Sequence, residues 1–242
     1  MLDLAGSITG LMAVAVDLIA ITTFLPLSFM QRLALGGLLG TWTGLASGLG
    51  AAGLLAFAPD RPVPLVGVLF VTPLLVVGAL SIVYPGVRRA LLGIPTHLLI
   101  GLNSLRIFGV LFLMLAAAGR LSGPFPFSAG LGDILTGAFA IPLALTVVRG
   151  DALPRAAIAR WNLFGALDLV VAVGLGLTSA NGSPAQVFHM GVGSEAMQQL
   201  PYCLVPTVLV PFYLITHAVV AAQLIVSRHH TRLQPAGAAA SS

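Results

Sequence analysis

Arg106 lies in the middle of an apolar stretch, IPTHLLIGLNSLRIFGVLFLMLAAAGR, long enough to cross a lipid bilayer. A guanidinium is not deprotonated in a protein, so this cation cannot escape lipid by becoming neutral. Charges at such depth face the interior of a helix bundle and take a partner there. The candidate partners are Asp17, Asp168 and His217, each inside a different apolar stretch, with Asn103 one turn from Arg106. Two carboxylates and an imidazole around one fixed cation leave at least one group free to titrate, and series of Asp, Glu and His are the usual intramembrane proton relays. The same residues also fit a purely structural role, in which Asp17 or Asp168 neutralises Arg106 and locks the bundle.

Depth arithmetic brings these groups together. At about 1.5 Å per residue, Arg106 lies roughly 16 Å, Asp168 roughly 10 Å and His217 roughly 13 Å from one membrane face. Asp17, counted from the opposite end of its span, arrives at about 10 Å in a core about 30 Å thick. Helical periodicity adds faces: Asn103, Arg106 and Gly109 on one, Trp161, Gly165, Asp168 and Ala172 on another, Tyr202, Pro206, Tyr213 and His217 on a third, and Gly6, Gly10 and Asp17 on a fourth. A central cluster of Asp17, Asn103, Arg106, Asp168 and His217 is the expectation, with Arg106 as fixed countercharge, Asp168 or Asp17 as titrating carboxylate and His217 as relay.

The elements that must position this cluster follow from composition. A mean hydropathy of +1.04, with 58% apolar and 7% charged residues in 242, lies far from the roughly 25% charged residues of soluble chains. The fold class is therefore an all-α membrane protein, a bundle of seven transmembrane helices in one polytopic domain over 1–232. The apolar segments run about 4–29, 33–58, 63–84, 95–118, 129–148, 161–180 and 201–226, and 233–242 reads as a disordered tail. The apolar N-terminus lacks a basic leader and reads as a retained first helix.

Arginine placement orients the spans. Arg32, Arg88, Arg89, Arg149, Arg155, Arg160, Arg228 and Arg232 fall on one side, against Arg61 and Arg120 on the other, where Asp3, Asp60 and Glu195 also lie. The positive-inside rule then predicts an outside N-terminus and a cytoplasmic C-terminus in a bacterial cytoplasmic membrane.

Secondary features complete the pattern. Gly36, Gly40, Gly44 and Gly48 form a small-residue ridge on the second helix, expected to pack inside the bundle or to form a homodimer seam. Asp133 reads as a first-turn residue of the fifth helix, favoured there by the helix dipole, and as an outer-side partner for Arg120. RGDALPRAAIAR reads as a turn into an interfacial helix with Trp161 in an aromatic belt. Pro201, Pro206 and Pro211 predict a kinked last span.

Several functions are excluded or disfavoured. The scattered arginines form no basic aromatic surface for nucleic acid, so the lipid bilayer is the expected partner. The chain has eleven arginines and no lysine, which rules out a retinal Schiff base. Haem held by His97 and His217 is the cofactor alternative, but His97 lies only about 3 Å inside its span against about 13 Å for His217. HExxH, CxxC, GxSxG and P-loop patterns are absent, no metal set or catalytic residue is assigned, and enzymatic activity is not expected. The lone Cys203 reads as a buried thiol. His189, His229 and His230 lie outside the spans. Movement of a proton, ion or small solute is the leading functional expectation. A haem-binding or partner-assembled membrane subunit and a structural or sensory bundle are the alternatives.

Overall fold

A computed structural model describes residues 1–58, 64–150 and 155–233, with side chains up to residue 226. Asp60, Arg61 and the tail 234–242 lie outside the described residues, as do the side chains of Arg228, His229, His230 and Arg232.

The described residues are all-helical: α1 (Leu2–Phe24), α2 (Phe29–Ala51), α3 (Leu65–Val83), α4 (Pro85–Leu92), α5 (Thr96–Leu102), α6 (Val110–Ala117), α7 (Phe125–Arg149), α8 (Arg155–Ser179) and α9 (Val210–Leu233). A 3₁₀ stretch, Asn103–Gly109, joins α5 to α6, and a π-helical turn, Val205–Leu209, leads into α9. Six of the resulting rods are long and apolar enough to cross a membrane: Leu2–Phe24, Leu65–Val83, Thr96–Ala117, Phe125–Arg149, Arg155–Ser179 and Val205–Val226. That is the make-up of a multi-pass membrane protein.

The expected seventh span is α2. It is 23 residues long and begins with a capping box between Ser28 and Gln31. Its glycines, with Gln31, Arg32 and two threonines, dilute its hydropathy below that of the other rods. Its start nevertheless packs near Leu25, Ile94 and Val220, and its end near Leu55 and Leu204, so it runs between the two ends of the bundle.

Apolar exposure is inverted relative to a water-soluble protein. Ile82, Phe29 and Phe139 are among many large apolar side chains on the outside, whereas Asp17, Asn103, Arg106, Asn162, Thr216 and His217 are buried. Lipid replaces water as the outer solvent, so exposed leucines and valines carry no penalty and polar groups collect inside.

The centre of the bundle is α7, which packs against α5, the 3₁₀ stretch, α6 and α8. Close approach depends on glycine. A Cβ at Gly137 would stand 2.6 Å from the Ile107 amide nitrogen, and one at Gly130 would stand 3.0 Å from the Gly109 carbonyl oxygen. By contrast, nothing lies within 4 Å of a Cβ built on Gly36, Gly40, Gly44 or Gly48. The expected packing of that ridge inside the bundle does not occur, because α2 turns Ala46 and Gly50 inward instead.

Proline chemistry explains the start of the last rod. Pro211 has no N–H to return to the carbonyl of Thr207. The Thr207 carbonyl instead accepts from the Trp42 indole at 3.0 Å, as membrane helices require of freed backbone groups. The rod begins at Val205 rather than 201, after a turn containing Pro201 and Tyr202. Similarly, α8 is continuous from Arg155, so the residues read as an interfacial helix are its first turns.

Candidate functional site: a polar centre around Arg106

Arg106 is 3% exposed, and all three of its guanidinium nitrogens are engaged. Nε donates to Asp133 Oδ1 at 2.7 Å, and Nη2 donates to Asp168 Oδ2 at 2.5 Å. Nη1 donates to the Gly165 carbonyl at 3.2 Å and faces His217 Nε2 at 3.1 Å. Two carboxylates from α7 and α8 therefore share one guanidinium, which leaves a formal excess of one negative charge.

The imidazole is held by its hydrogen bonds. Arginine donates only, so His217 Nε2 must accept. Its Nδ1 then carries the hydrogen and donates to Asn162 Oδ1 at 2.9 Å. The Asn162 amide donates in turn to the His217 backbone carbonyl at 3.1 Å. Trp161 packs against the ring at 5.2 Å between centroids and donates its indole N–H to the Thr136 carbonyl at 3.0 Å. This set belongs to neutral imidazole in the Nδ1–H tautomer.

Local backbone geometry aims these groups. The 3₁₀ helix has three residues per turn, so Asn103, Arg106 and Gly109 stack in a straight column rather than drifting as on an α-helix. All three are buried against the interior. Gly132 leaves room for the Asp168 carboxylate, which a Cβ there would strike, and a Cβ at Gly165 would stand 2.6 Å from the His217 ring. Asn103 makes no hydrogen bond to Arg106. Its amide donates to the Leu99 carbonyl at 2.9 Å and to Thr216 Oγ1 at 3.1 Å, tying the broken span to α9.

Asp133 corrects the expected outer-side pair of Arg120 with Asp133. Helix α7 begins at Phe125, four residues before the expected start, so Asp133 lies eight residues in, or about 12 Å deep. At that depth it meets Arg106. Arg120 pairs instead with Asp3 at 2.6 Å on the exposed surface and stands 5.6 Å over the Tyr202 ring. Periodicity missed Asn162 as well. A single Asn inside an apolar span beside Trp161 was the available signal.

Asp17 is buried at 4% exposure but does not pair with Arg106. Tyr213 lies beside its carboxylate, yet neither oxygen completes a hydrogen bond in ordinary geometry. His97 lies apart from the centre. Its neighbour Thr96 bonds Gln223, six residues beyond His217, or about 9 Å along α9. Both His217 nitrogens are already engaged, so no lone pair is presented to an iron. Among the described residues, no group of three or more His, Cys, Asp and Glu is placed to hold a metal ion.

Two cavities meet at Asp133. One, of about 70 Å³, runs toward α1 and is lined by Gly6, Thr9, Arg106 and Tyr213. The other, of about 350 Å³, runs between α3 and α8 toward Ser194 and Gln198. The Asp133 side chain is 16% exposed, against 1% for Arg106.

An all-helical bundle with apolar outer surfaces and a buried Asp–Arg–Asp centre defines the class: a polytopic helical membrane protein with an intramembrane ionic cluster. The chain belongs to the family described as Domain of unknown function (DUF8737), which matches residues 63–225. That stretch holds Arg106, Asp133, Asp168 and His217, and leaves α1 with Asp17 outside it. No curated protein and no solved structure matches the chain.

Proposed function

We propose that this protein moves a proton, an ion or a small solute across a bacterial cytoplasmic membrane through the Arg106 centre. One observation carries the reading: Asp133 and Asp168 share a single guanidinium, and Asp133 lines two cavities, one toward α1 and one between α3 and α8. Arg106 is the fixed countercharge. The excess carboxylate takes up and releases the proton or cation, so Asp133 joins Asp168 as an exchanging group. Asp17, buried beside Tyr213 and not paired with Arg106, is the third position along the route. His217 positions Arg106 through Nε2 while Asn162 holds its other nitrogen.

The arginine asymmetry supports a cytoplasmic location for the ends bearing Arg88, Arg89, Arg149, Arg155 and Arg160, with α2 as the seventh crossing and the N-terminus outside. The outward glycine ridge of α2 is where a second copy would pack.

The test is proton and cation flux in liposomes reconstituted with the purified protein. Asp168→Asn abolishes flux while leaving folded protein in the membrane; normal flux by that variant ends the assignment. Saturation of every guanidinium nitrogen favours a second reading, a purely structural lock. In that case Arg106→Ala lowers the yield of folded protein, and no flux is found in the parent.

A further inference from the structure

The larger cavity has a chemistry of its own. Its volume is about 350 Å³, within the range of sites that take drug-sized molecules. Its walls are apolar, with Phe70, Phe112 and Phe125 among them, and among the described residues Asp133 is the ionisable side chain on its lining. The Phe112 and Phe125 rings stand 5.8 Å apart at a 46° tilt, so the aromatic wall is continuous across α6 and α7. Val71 of α3 and Leu177 of α8, both on its lining, are about two-fifths exposed, so the cavity is not closed off at the seam between these helices. At its other end lie Ser194 and Gln198, and the Gln198 side chain is fixed by the Phe57 amide at 3.1 Å.

Charge decides among the molecules that would fit. An uncharged lipid tail would satisfy the walls but offer nothing to the second carboxylate oxygen of Asp133, since Arg106 bonds only Oδ1. An anion would meet the excess negative charge of Asp133 and Asp168 over Arg106. A cation with an apolar body meets the carboxylate with its charge, and aromatic faces attract cations through their quadrupole. We propose that the cavity between α3 and α8 is a binding site for a lipophilic organic cation, with Asp133 as its anionic anchor and the phenylalanines as its wall. This names the solute class of the proposed transport and rests on that reading for movement, though not for binding.

The experiment is equilibrium binding of radiolabelled tetraphenylphosphonium to the full chain purified in a non-ionic detergent. Saturable binding to the parent is expected, with a neutral triphenylmethane competing poorly. Asp133→Asn is expected to weaken binding at least tenfold. Because that substitution also removes a partner of Arg106, Ala172→Trp, which fills the cavity while keeping every charged group of the ionic centre, is the second variant and is expected to abolish binding. Absence of saturable binding by the parent overturns the proposal. So does undiminished binding by folded Asp133→Asn or by Ala172→Trp, or equal competition by the neutral compound. Flux measured on the same preparations separates the two readings: Asp168-dependent proton flux without phosphonium binding removes the organic cation and leaves the transport route standing.

Discussion

Arg106 and Asp133 are 27 residues apart in the chain, yet their side chains meet at 2.7 Å in the centre of the bundle. The contact joins the 3₁₀ break of one rod to the middle of α7, at the point where Gly109 and Gly130 let the two backbones approach. Removing Arg106 leaves two buried carboxylates without a countercharge, a loss of the kind that costs about 3–5 kcal/mol, and removing Asp133 leaves the Arg106 Nε–H without its acceptor although Asp168 still pairs with the guanidinium. Arg106→Gln and Asp133→Leu are each expected to lower the unfolding midpoint in detergent. The double variant is expected to recover part of the loss, and additive losses in that cycle would show that the two residues act independently.

Glycine spacing around the centre sets a second expectation. Gly137→Ala pushes a methyl group against the Ile107 amide and the Ser104 carbonyl, neither of which can rotate away. Overpacking of this kind costs about 1–3 kcal/mol. Gly40→Ala, on the open ridge of α2, is expected to change stability negligibly in the monomer. Thermal unfolding of both variants in the same detergent compares them, and equal losses would contradict the packing described for α7.

His217 should have one tautomer only. Asn162→Leu removes the acceptor for Nδ1–H and the donor to the His217 carbonyl. Histidine-selective ¹⁵N spectra of the parent are expected to show protonated Nδ1 and unprotonated Nε2, and the variant is expected to lose that single pattern. A mixed tautomer signal from His217 in the parent would contradict the hydrogen-bond assignment.

The surface pair of Arg120 and Asp3 is predicted to matter little. Arg120 is 36% and Asp3 61% exposed in their side chains, and exposed pairs contribute about 0–1 kcal/mol. Asp3→Asn should therefore leave the unfolding midpoint almost unchanged, in contrast to the Asp133 variants. A loss comparable to that of Asp133→Leu would mean that the N-terminal turn is a structural latch.

Helix α2 calls for a topological measurement. With Cys203 replaced by Ala, Leu27→Cys and Ala56→Cys flank the helix at its two ends. A membrane-impermeant maleimide is expected to label Ala56→Cys from outside intact cells and Leu27→Cys only after permeabilisation. Labelling of both from one side would make α2 a helix that does not cross.

Composition determined the environment of this chain. Lipid accepts only segments that satisfy their own backbone, so long apolar runs with almost no charge had to be helical rods, and the few buried charges had to face one another. Arg106, Asp168 and His217 were legible as one group because depth along a rod is linear in residue number, and the structure brings all three within hydrogen-bond reach. Helix start points are not linear in anything local. Four residues at the beginning of α7 moved Asp133 from the surface to the centre, exchanging its expected partner Arg120 for Arg106. The 3₁₀ break, the carbonyl of Thr207 turned to Trp42, the unpaired carboxylate of Asp17 and the outward ridge of α2 were likewise decided in three dimensions. Each depends on which backbone comes close to which, and close approach is settled by the packing of distant segments rather than by the period of any one of them.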